Sequence, residues 1–330
     1  MDSQIAFIHM LQADLPGQQA FFQAVAFLGL PEFYLLVIPL IIWCFNRSLG
    51  VRLVILLSIS GAVSDALKLW FHSPRPYWIS TKVSAYSSYP SFGFPSTHAQ
   101  NAVGFFGLIA ATLRRWWIWI ACTLIILLIG LARVYQAVHF PSDIIGGYCA
   151  GLLLLVLFLK FEKPVGLWMH KTPLHVRIGF SFAASCTFIL FSLLALASLG
   201  SWQLPPEWSS LAFAQTGVSI DPLFPVDTLV SAGLLFGSAA GAAISDEYIR
   251  YEADGRWSQK AGRYIVGIII LFTIWILLGP AATLPGITGD LLQYIRPALA
   301  GLWITCGAPA LFQRIGLFNE EPVEYVREIR

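Results

Sequence analysis

Charged side chains are scarce in this chain of 330 residues: Asp, Glu, Lys and Arg together make up 12% of it, whereas 57% is hydrophobic. A soluble domain carries about 25% charged residues. The shortage of charge, combined with long apolar runs, excludes an ordinary soluble domain and predicts an all-α integral membrane protein. We therefore expect membrane lipids around the chain and no nucleic-acid partner.

Cysteine pairs and linkers are also missing, and no targeting signal is expected. The five cysteines are scattered through apolar runs, which predicts neither a disulfide framework nor a cysteine-based zinc site. No Lys or Arg precedes the first apolar stretch, so we expect no cleavable secretory signal, and residues 3–12 are predicted to form a short interfacial helix. No Gly/Ser-rich linker divides the chain. A soft boundary near 161–177 separates two predicted regions, 1–160 and 161–330.

About nine membrane spans are predicted, because a bilayer requires apolar runs of about 17–25 residues. The predicted spans lie near 21–45, 53–71, 98–113, 116–132, 140–160, 177–199, 228–245, 263–281 and 293–312. In the seventh of them, Gly233, Gly237 and Gly241 recur every four residues. That spacing predicts a face on which a neighbouring helix packs closely.

Basic residues predict the orientation of these spans, because cytoplasmic loops carry an excess of Lys and Arg. With the N-terminus outside, 15 of the 20 basic residues fall on the inner side. The five on the outer side are Lys68, Arg75, Lys82, Arg133 and Arg296. The sequence thus predicts an N-terminus that is outside and a C-terminus that is inside.

Three short motifs concentrate polar chemistry on the predicted outer side. They are Lys68-x6-Arg75-Pro76, Pro95-Ser96-Thr97-His98 and Arg133-x5-His139-x3-Asp143. They supply three fixed cations, a hydroxyl, two imidazoles and a carboxylate. These are the groups needed to hold a phosphate and to break its ester.

The position of each motif predicts what its residues do. Ser96 stands where the third span begins, so it is placed to cap that helix or to donate to a phosphate oxygen. His139 and Asp143 open the fifth span, and their spacing of four residues predicts that they share one helix face. A carboxylate beside an imidazole fixes the tautomer of the ring and stabilises its cation.

The order and spacing of the motifs resemble the type 2 phosphatidic acid phosphatase (PAP2) superfamily over roughly residues 20–160. The resemblance implies a six-helix-like core of that type with a C-terminal helical extension. It implies His139 as the nucleophile, Asp143 as its orienting partner and His98 as the general acid. It implies no metal or other cofactor, and a phosphate clamp made of Lys68, Arg75, Ser96, the Thr97 amide and Arg133.

Two positions depart from the usual pattern of that superfamily. Thr97 stands where Gly is usual, and Ala132 stands where Ser usually precedes the arginine of the third motif. The backbone N–H of Thr97 survives the first change. Pro-Ser-Thr-His is also similar to the sphingosine-phosphate phosphatase branch, which has extra C-terminal helices. The second change removes one hydroxyl, with a smaller expected effect than the loss of a charged contact.

Other roles stay open for several of these residues. His98, His139 and Asp143 have the side chains of a zinc site, although three neighbouring cations would repel a metal. Asp65 lies inside a span, where a carboxylate needs a partner, so it is expected to orient Lys68 or Arg75 or to bind another helix. Glu32 is a candidate for the same supporting roles, and His72 is expected at the interface.

The sequence therefore predicts a phosphoric ester hydrolase acting on a lipid phosphate monoester or a polyprenyl diphosphate. A lipid phosphotransferase with the same histidine is the alternative, and a non-enzymatic lipid or anion transporter is a further one. The expected location is the bacterial plasma membrane, with the active site on the outer, periplasmic face. Whether the chain forms a homodimer is left open.

Overall fold

The apolar runs of the sequence fold into helices, and the computed structural model describes residues 1–249, 251–282 and 284–318. Every regular element in these ranges is helical. The first seven helices are α1 (Asp2–Asp14), α2 (Gln19–Phe27), α3 (Pro31–Cys44), α4 (Arg47–Phe71), α5 (Pro76–Ile79), α6 (Thr97–Leu113) and α7 (Trp116–Tyr135). They are followed by α8 (Pro141–Lys171), α9 (Leu174–Ser198), α10 (Pro206–Thr216), α11 (Val226–Tyr248), α12 (Trp257–Ala282), α13 (Ile287–Leu302), a π-helical turn (Trp303–Gly307) and α14 (Ala308–Arg314).

Seven helical segments of the described chain are long and apolar enough to cross a membrane. The bent pair α2 and α3, which meet at 44°, adds an eighth if it counts as one span. The predicted span near 98–113 corresponds to α6, whose 17 residues extend for only about 26 Å. That length is shorter than the hydrocarbon core of a bilayer, about 30 Å. The prediction of nine spans therefore exceeds the number that length and composition support.

The core of the molecule joins the two halves of the sequence. Helix α4 packs against α3 and α6 of the first half and against α9 and α11 of the second. Helix α8 runs without interruption through the predicted boundary between residues 160 and 161. It also contains Pro164, which does not end the helix. The chain therefore crosses the predicted soft boundary within one continuous helix. The chain turns only at Thr172–Pro173, before α9.

Helix α1 covers the turn between α7 and α8. Ile5 and Ile8 pack in a buried cluster with Val134 and Phe140. The side-chain amide of Gln12 donates to the carbonyl oxygen of Tyr135 at 2.7 Å. The predicted N-terminal helix is thus present. It packs against the turn between α7 and α8 at one end of the bundle.

Ion pairs tie the helices together at the end of the bundle where α4 begins. They join α4 to α11, α4 to α8 and α9 to α11 through Arg47–Asp246, Arg52–Glu162 and Arg177–Glu247. All three arginines belong to the predicted inner set. Three further members of that set, Arg250, Arg327 and Arg330, lie outside the described residues.

Glycine spacing on α11 allows α13 to approach closely. A methyl group added at Gly233 would collide with the backbone of Tyr294, and one added at Gly237 would collide with the backbone of Ala298. A methyl group added at Gly241 would meet the side chain of Thr305 in the π-helical turn. Small residues permit such close helix contacts in membranes, and the predicted close-packing face is confirmed.

The substitution Gly237→Ala should destabilise the protein, because the new methyl group meets a backbone carbonyl that cannot move as a side chain can. Overpacking of this kind costs about 1–3 kcal/mol. Gly166→Ala in α8 is the matched control, since nothing lies within 4 Å of its added Cβ and alanine favours a helix. Heating in detergent followed by size-exclusion chromatography should show that Gly237→Ala aggregates at a lower temperature than the wild type, whereas Gly166→Ala does not. Equal thermal midpoints would contradict the close contact.

Candidate active site

The three sequence motifs meet at the end of the bundle opposite the ion pairs. Lys68 lies in the last turn of α4, Arg75 immediately precedes α5, and Ser96 is the N-cap of α6. Arg133 lies in the last turn of α7, and His139 lies in the turn between α7 and α8. All five side chains are buried. Residues far apart in the sequence are thereby brought into one polar cluster.

The guanidinium of Arg75 uses all five of its N–H groups. Nε donates to the carbonyl oxygen of Ser91 at 2.7 Å, and Nη2 donates to the Ser91 hydroxyl at 3.2 Å and to the carbonyl oxygen of Phe92 at 3.0 Å. Nη1 donates to the carbonyl oxygen of Val138 at 2.8 Å and contacts Nε2 of His139 at 3.2 Å. Arg75 therefore joins residues 91–92 to residues 138–139.

The contact between Arg75 and His139 defines the tautomer of the imidazole. Arginine has donors and no acceptor, so Nε2 of His139 must present its lone pair to Nη1 of Arg75. The proton of the neutral ring then sits on Nδ1, which faces Oδ2 of Asp143 at 3.5 Å. The lone pair of the neutral ring is consequently on Nε2, where it accepts from Nη1 of Arg75.

Asp143 reaches His139 from the first turn of α8. Its Oδ2 accepts a hydrogen bond from the backbone N–H of Phe140 at 2.8 Å. Phe140 stands before Pro141 and is extended, as residues before proline usually are, so His139 precedes the helix. The expectation that His139 and Asp143 share one helix face is therefore wrong. The carboxylate instead reaches back over the N-terminus of α8 to the imidazole.

A tight turn links Arg133 to His139. The N–H of Val138 donates to the carbonyl oxygen of Arg133 at 3.3 Å, and the N–H of Ala137 donates to that of Val134 at 2.9 Å. This is the Schellman pattern that ends many helices. Ala137 has a φ of 56°, where glycine is usual and another residue costs about 1–2 kcal/mol. A strained residue thus lies between two residues of the site.

Arg133 is a buried cation, 1% exposed, whose donors are mostly unused. Nη1 donates to Oε1 of Gln136 at 2.8 Å. Nε and Nη2 make no hydrogen bond to any residue that the structure describes. The guanidinium lies over the ring of Tyr89, with Cζ 4.6 Å from the ring centroid. Because an unpaired buried charge is costly, these donors indicate an anionic ligand.

His98 supplies a second unpaired group. It lies in the first turn of α6 and is 9% exposed, and its Nε2 has no hydrogen-bond partner within the described ranges. The ring of Tyr89 meets it edge-on at 5.5 Å between centroids. On another side, a methyl group added at Gly29 would come within 3.3 Å of Cδ2 of His98. A confined imidazole with a free nitrogen is suited to proton transfer.

Ser96 and Thr97 start α6. The Ser96 hydroxyl accepts from the N–H of Ala99 at 3.5 Å, so the predicted capping contact is present. The cap uses the hydroxyl as an acceptor, which leaves its hydrogen free to donate. Thr97 Oγ1 lies 2.7 Å from Oγ of Ser64 on α4, while its N–H belongs to the first turn, where backbone donors point toward an anion.

Ser91 is a contact residue that the motifs do not contain. Its hydroxyl accepts from Nζ of Lys68 at 3.2 Å and from Nη2 of Arg75 at 3.2 Å, and so bridges two cations. Asp65, the expected partner of these cations, is buried beside Lys68 and lines a small cavity with Asp227 of α11. No ion pair joins Asp65 to either cation in the described part of the chain.

Two other candidates lie away from the cluster. Glu32 is exposed in the first turn of α3, which begins at Pro31, and none of the described ion pairs includes it. His72 ends α4 in the left-handed region, and its ring packs 5.0 Å from that of Trp202. Among the described residues, no three His, Cys, Asp or Glu side chains lie close enough to hold a metal ion. The geometry therefore gives the zinc alternative no support.

The environment of His139 favours its neutral form. Burial lowers the pKa of His139 well below its ordinary value of 6.5, and the positive charges of Arg75, Arg133 and Lys68 lower it further. A neutral imidazole is the nucleophilic form. The neighbouring cations thus favour an unprotonated Nε2 on His139.

Comparison with known proteins places these residues in a family. The PAP2 superfamily model matches residues 49–166, which include all three motifs. A second model, described as the transmembrane extension of PAP2 superfamily phosphatases, matches residues 229–321. The chain belongs to the PAP2 superfamily. The expected core and C-terminal extension are confirmed.

Named relatives match different lengths of the chain. Phosphatidylglycerophosphatase B of Bacillus subtilis is 28% identical over 37% of this chain and 62% of its own. Glucose-6-phosphatase catalytic subunit 1 of Canis lupus familiaris is 24% identical over 86% of this chain and 87% of its own. A dihydrosphingosine 1-phosphate phosphatase of Saccharomyces cerevisiae is 28% identical over 58% of this chain and 50% of its own. The crystal structure of a PAP2-type phosphatidylglycerolphosphate phosphatase from Bacillus subtilis is 24% identical, covers 50% of this chain and 86% of its own, and has a TM-score of 0.43.

Replacing Arg133 should separate anion binding from stability. Inorganic phosphate or orthovanadate should raise the thermal midpoint of the wild-type protein in detergent, because a ligand at 100 times its Kd stabilises by about 2.7 kcal/mol. Arg133→Met should abolish this rise without lowering the midpoint of the anion-free protein, since it removes a buried unpaired charge. Arg296→Met, at an arginine packed on Trp275 in the extension, is the control that should keep the rise. A full rise in Arg133→Met would refute the assignment.

The lowered pKa of His139 predicts an unusual acid limb in the rate of phosphate ester cleavage. Protonation of Nε2 would remove the lone pair of the nucleophile that the resemblance implies, and a lowered pKa moves that protonation to more acidic solution. The acid limb of kcat/KM should therefore lie below pH 6.5, the ordinary histidine value. Arg133→Gln removes one nearby positive charge, so the pKa of His139 should rise. The acid limb of the activity that remains should then lie at higher pH than in the wild type. A wild-type limb centred at or above the ordinary value contradicts this account.

Proposed function

We propose that this chain is a metal-independent membrane phosphatase that hydrolyses a lipid phosphate monoester or a polyprenyl diphosphate through a phosphohistidine intermediate. The observation that carries the proposal is the 3.2 Å contact between Nη1 of Arg75 and Nε2 of His139. This contact holds an unprotonated imidazole nitrogen next to the cations expected to bind the phosphate. Geometry and charge thus favour attack by His139 on a bound phosphoryl group.

In the first step, Nη1 of Arg75 turns from Nε2 of His139 to a phosphoryl oxygen. The freed lone pair of Nε2 then attacks phosphorus while the bond to the leaving oxygen breaks. His98 takes up a proton once the anionic phosphate is bound, because the phosphate offsets the positive charges of Arg133, Lys68 and Arg75 around the ring. It gives this proton to the leaving oxygen, so the product leaves as a neutral alcohol or, from a diphosphate, as a monophosphate. Nδ1–H of His139 faces Asp143 at 3.5 Å, which stabilises the positive charge that develops on the ring. Lys68, Arg75 and Arg133 balance the phosphoryl oxygens with fixed charge, the role that Mg²⁺ plays in other phosphoryl transfers.

In the second step, water attacks the phosphorus of phosphohistidine. His98, now neutral, accepts the proton of the water as the phosphorus–nitrogen bond breaks and inorganic phosphate forms. His139 returns to its neutral state and His98 to its protonated state. Each residue therefore ends the cycle as it began, and no further reactant is required.

The proposed substrate is a lipid, and the proposed location is a bacterial plasma membrane with the site on the outer, periplasmic face and the N-terminus outside. Trp70 and Phe71 follow Lys68 closely and are 58% and 51% exposed, as expected of aromatic residues at headgroup depth. Three relatives are named as phosphatases of a phospholipid, a sphingoid phosphate and a sugar phosphate. An apolar tail next to the phosphate fits a site at this depth best.

Phosphate release by purified protein in detergent with EDTA tests the proposal. The substrates are phosphatidic acid, sphingosine phosphate, phosphatidylglycerol phosphate and undecaprenyl diphosphate. His139→Ala should reduce release by at least about 1,000-fold, as loss of a nucleophile does in other covalent enzymes. His9→Ala, at an exposed histidine of α1, is the matched control and should retain full activity.

Each other outcome identifies an alternative. Release only after a lipid or sugar acceptor is added indicates a phosphotransferase with the same histidine. Binding or transport without any ester cleavage, unchanged in His139→Ala, indicates a non-enzymatic lipid or anion transporter. Activity that EDTA abolishes and a divalent metal restores would overturn the metal-independent mechanism.

A further inference from the structure

Tyr89 lies at the centre of the candidate site, although no motif contains it. Its ring centroid is 4.6 Å from Cζ of Arg133 and 5.1 Å from Cζ of Arg75. The same ring meets that of His98 at 5.5 Å, with the two planes at 78°. One aromatic side chain therefore contacts two cations of the phosphate clamp and the proposed general acid.

The backbone of Tyr89 is fixed by a single buried hydroxyl. Tyr77 of α5 is fully buried, and its hydroxyl donates to the carbonyl oxygen of Tyr89 at 3.0 Å. The N–H of Tyr89 donates back to that hydroxyl, also at 3.0 Å. Both backbone groups of Tyr89 are thus held, which defines the position of the ring over the site.

Part of the C-terminal half supports this arrangement from outside. The side-chain amide of Gln215 in α10 donates to the carbonyl oxygens of Tyr77 at 3.0 Å and of Ser80 at 2.9 Å. Trp202 and Trp208, both half-buried, join Tyr89 in one cluster of aromatic and aliphatic side chains. Residues 167–228, which contain them, lie between the two regions that the family models match. This segment therefore adds aromatic side chains to the cluster that contains Tyr89.

The proposed chemistry places the leaving alcohol against this surface. Attacking and leaving atoms are roughly in line in phosphoryl transfer, so the leaving oxygen lies on the side of phosphorus away from Nε2 of His139. It must also lie within hydrogen-bond reach of His98. Because the ring of Tyr89 packs against His98, the carbon atoms bonded to the leaving oxygen come next to that ring.

We propose that Tyr89 is a specificity-determining residue whose ring contacts the first carbons of the leaving alcohol. An aromatic ring in one cluster with Trp202 and Trp208 favours an apolar lipid alcohol over a polyhydroxylated sugar, because it buries methylene groups and offers little to pair with sugar hydroxyls. This inference rests on the proposed function, since the direction of the alcohol follows from the role of His98.

The test compares kcat/KM for phosphatidic acid with kcat/KM for glucose 6-phosphate in the full-length protein. Tyr89→Ala should lower the ratio of the two at least about tenfold, the effect of losing one well-buried aromatic contact with the substrate. Tyr89→Phe keeps the ring and should stay within about threefold of wild type. Tyr86→Ala is the matched control, because Tyr86 belongs to the same loop but stacks on Tyr135 at 5.4 Å, away from the clamp; its ratio should be unchanged.

Inhibition by inorganic phosphate distinguishes the contact of the Tyr89 ring with the arginines from its proposed contact with the leaving alcohol. Phosphate has no alcohol, so the change of its inhibition constant in Tyr89→Ala reports only the effect of the ring on the arginines. A loss with phosphatidic acid that exceeds this change supports the contact with the alcohol. An unchanged substrate ratio, or an equal ratio in Tyr89→Ala and Tyr86→Ala, overturns the inference and leaves the proposed phosphatase intact. Loss of the phosphatase itself is recognised separately, by turnover that His139→Ala does not reduce.

Discussion

The buried guanidinium of Arg75 is the interaction on which the rest of the site depends. Its five N–H groups hold the loop at residues 91–92 against the turn at residues 138–139 and also fix the tautomer of His139. Each buried carbonyl left without its donor would cost about 1–3 kcal/mol. Pro74 and Pro76 restrict the backbone on both sides of Arg75. The side chain of Arg75 therefore both holds the site together and sets the tautomer of His139 that the proposed chemistry requires.

The cluster keeps its positive charge because its cations are paired mainly with neutral groups. Ser91 offers a hydroxyl to Lys68 and Arg75, and Tyr89 offers its π-face to Arg75 and Arg133. The carboxylate of Asp143 is held on the N–H of Phe140 and faces His139. A carboxylate bound directly to each cation would neutralise the site and compete with a phosphate. Neutral partners reduce the cost of burying the cations and leave their attraction for an anion in place.

The helices and the motif residues are predictable from the sequence, because long apolar runs and the charged residues within them are local features. Features that depend on contacts between distant residues are not predictable in this way. The shared face expected for His139 and Asp143 is replaced by a carboxylate that reaches back over Phe140, since Pro141 begins the helix. Ser91 and Tyr89 belong to a loop whose composition resembles any polar loop. Their contacts depend on how Arg75 folds that loop, which no residue spacing reveals.

Identifying the phosphorylated atom tests the central claim most directly. Rapid quenching during turnover of a labelled lipid phosphate, followed by digestion under alkaline conditions and mass spectrometry, would locate the phosphoryl group, and comparison with the two phosphohistidine isomers would identify its nitrogen. We expect phosphate on Nε2 of His139, because Nε2 accepts from Arg75 and so carries the lone pair, while Nδ1 carries the ring proton. Phosphate on Nδ1, on His98 or on no residue during active turnover would contradict it.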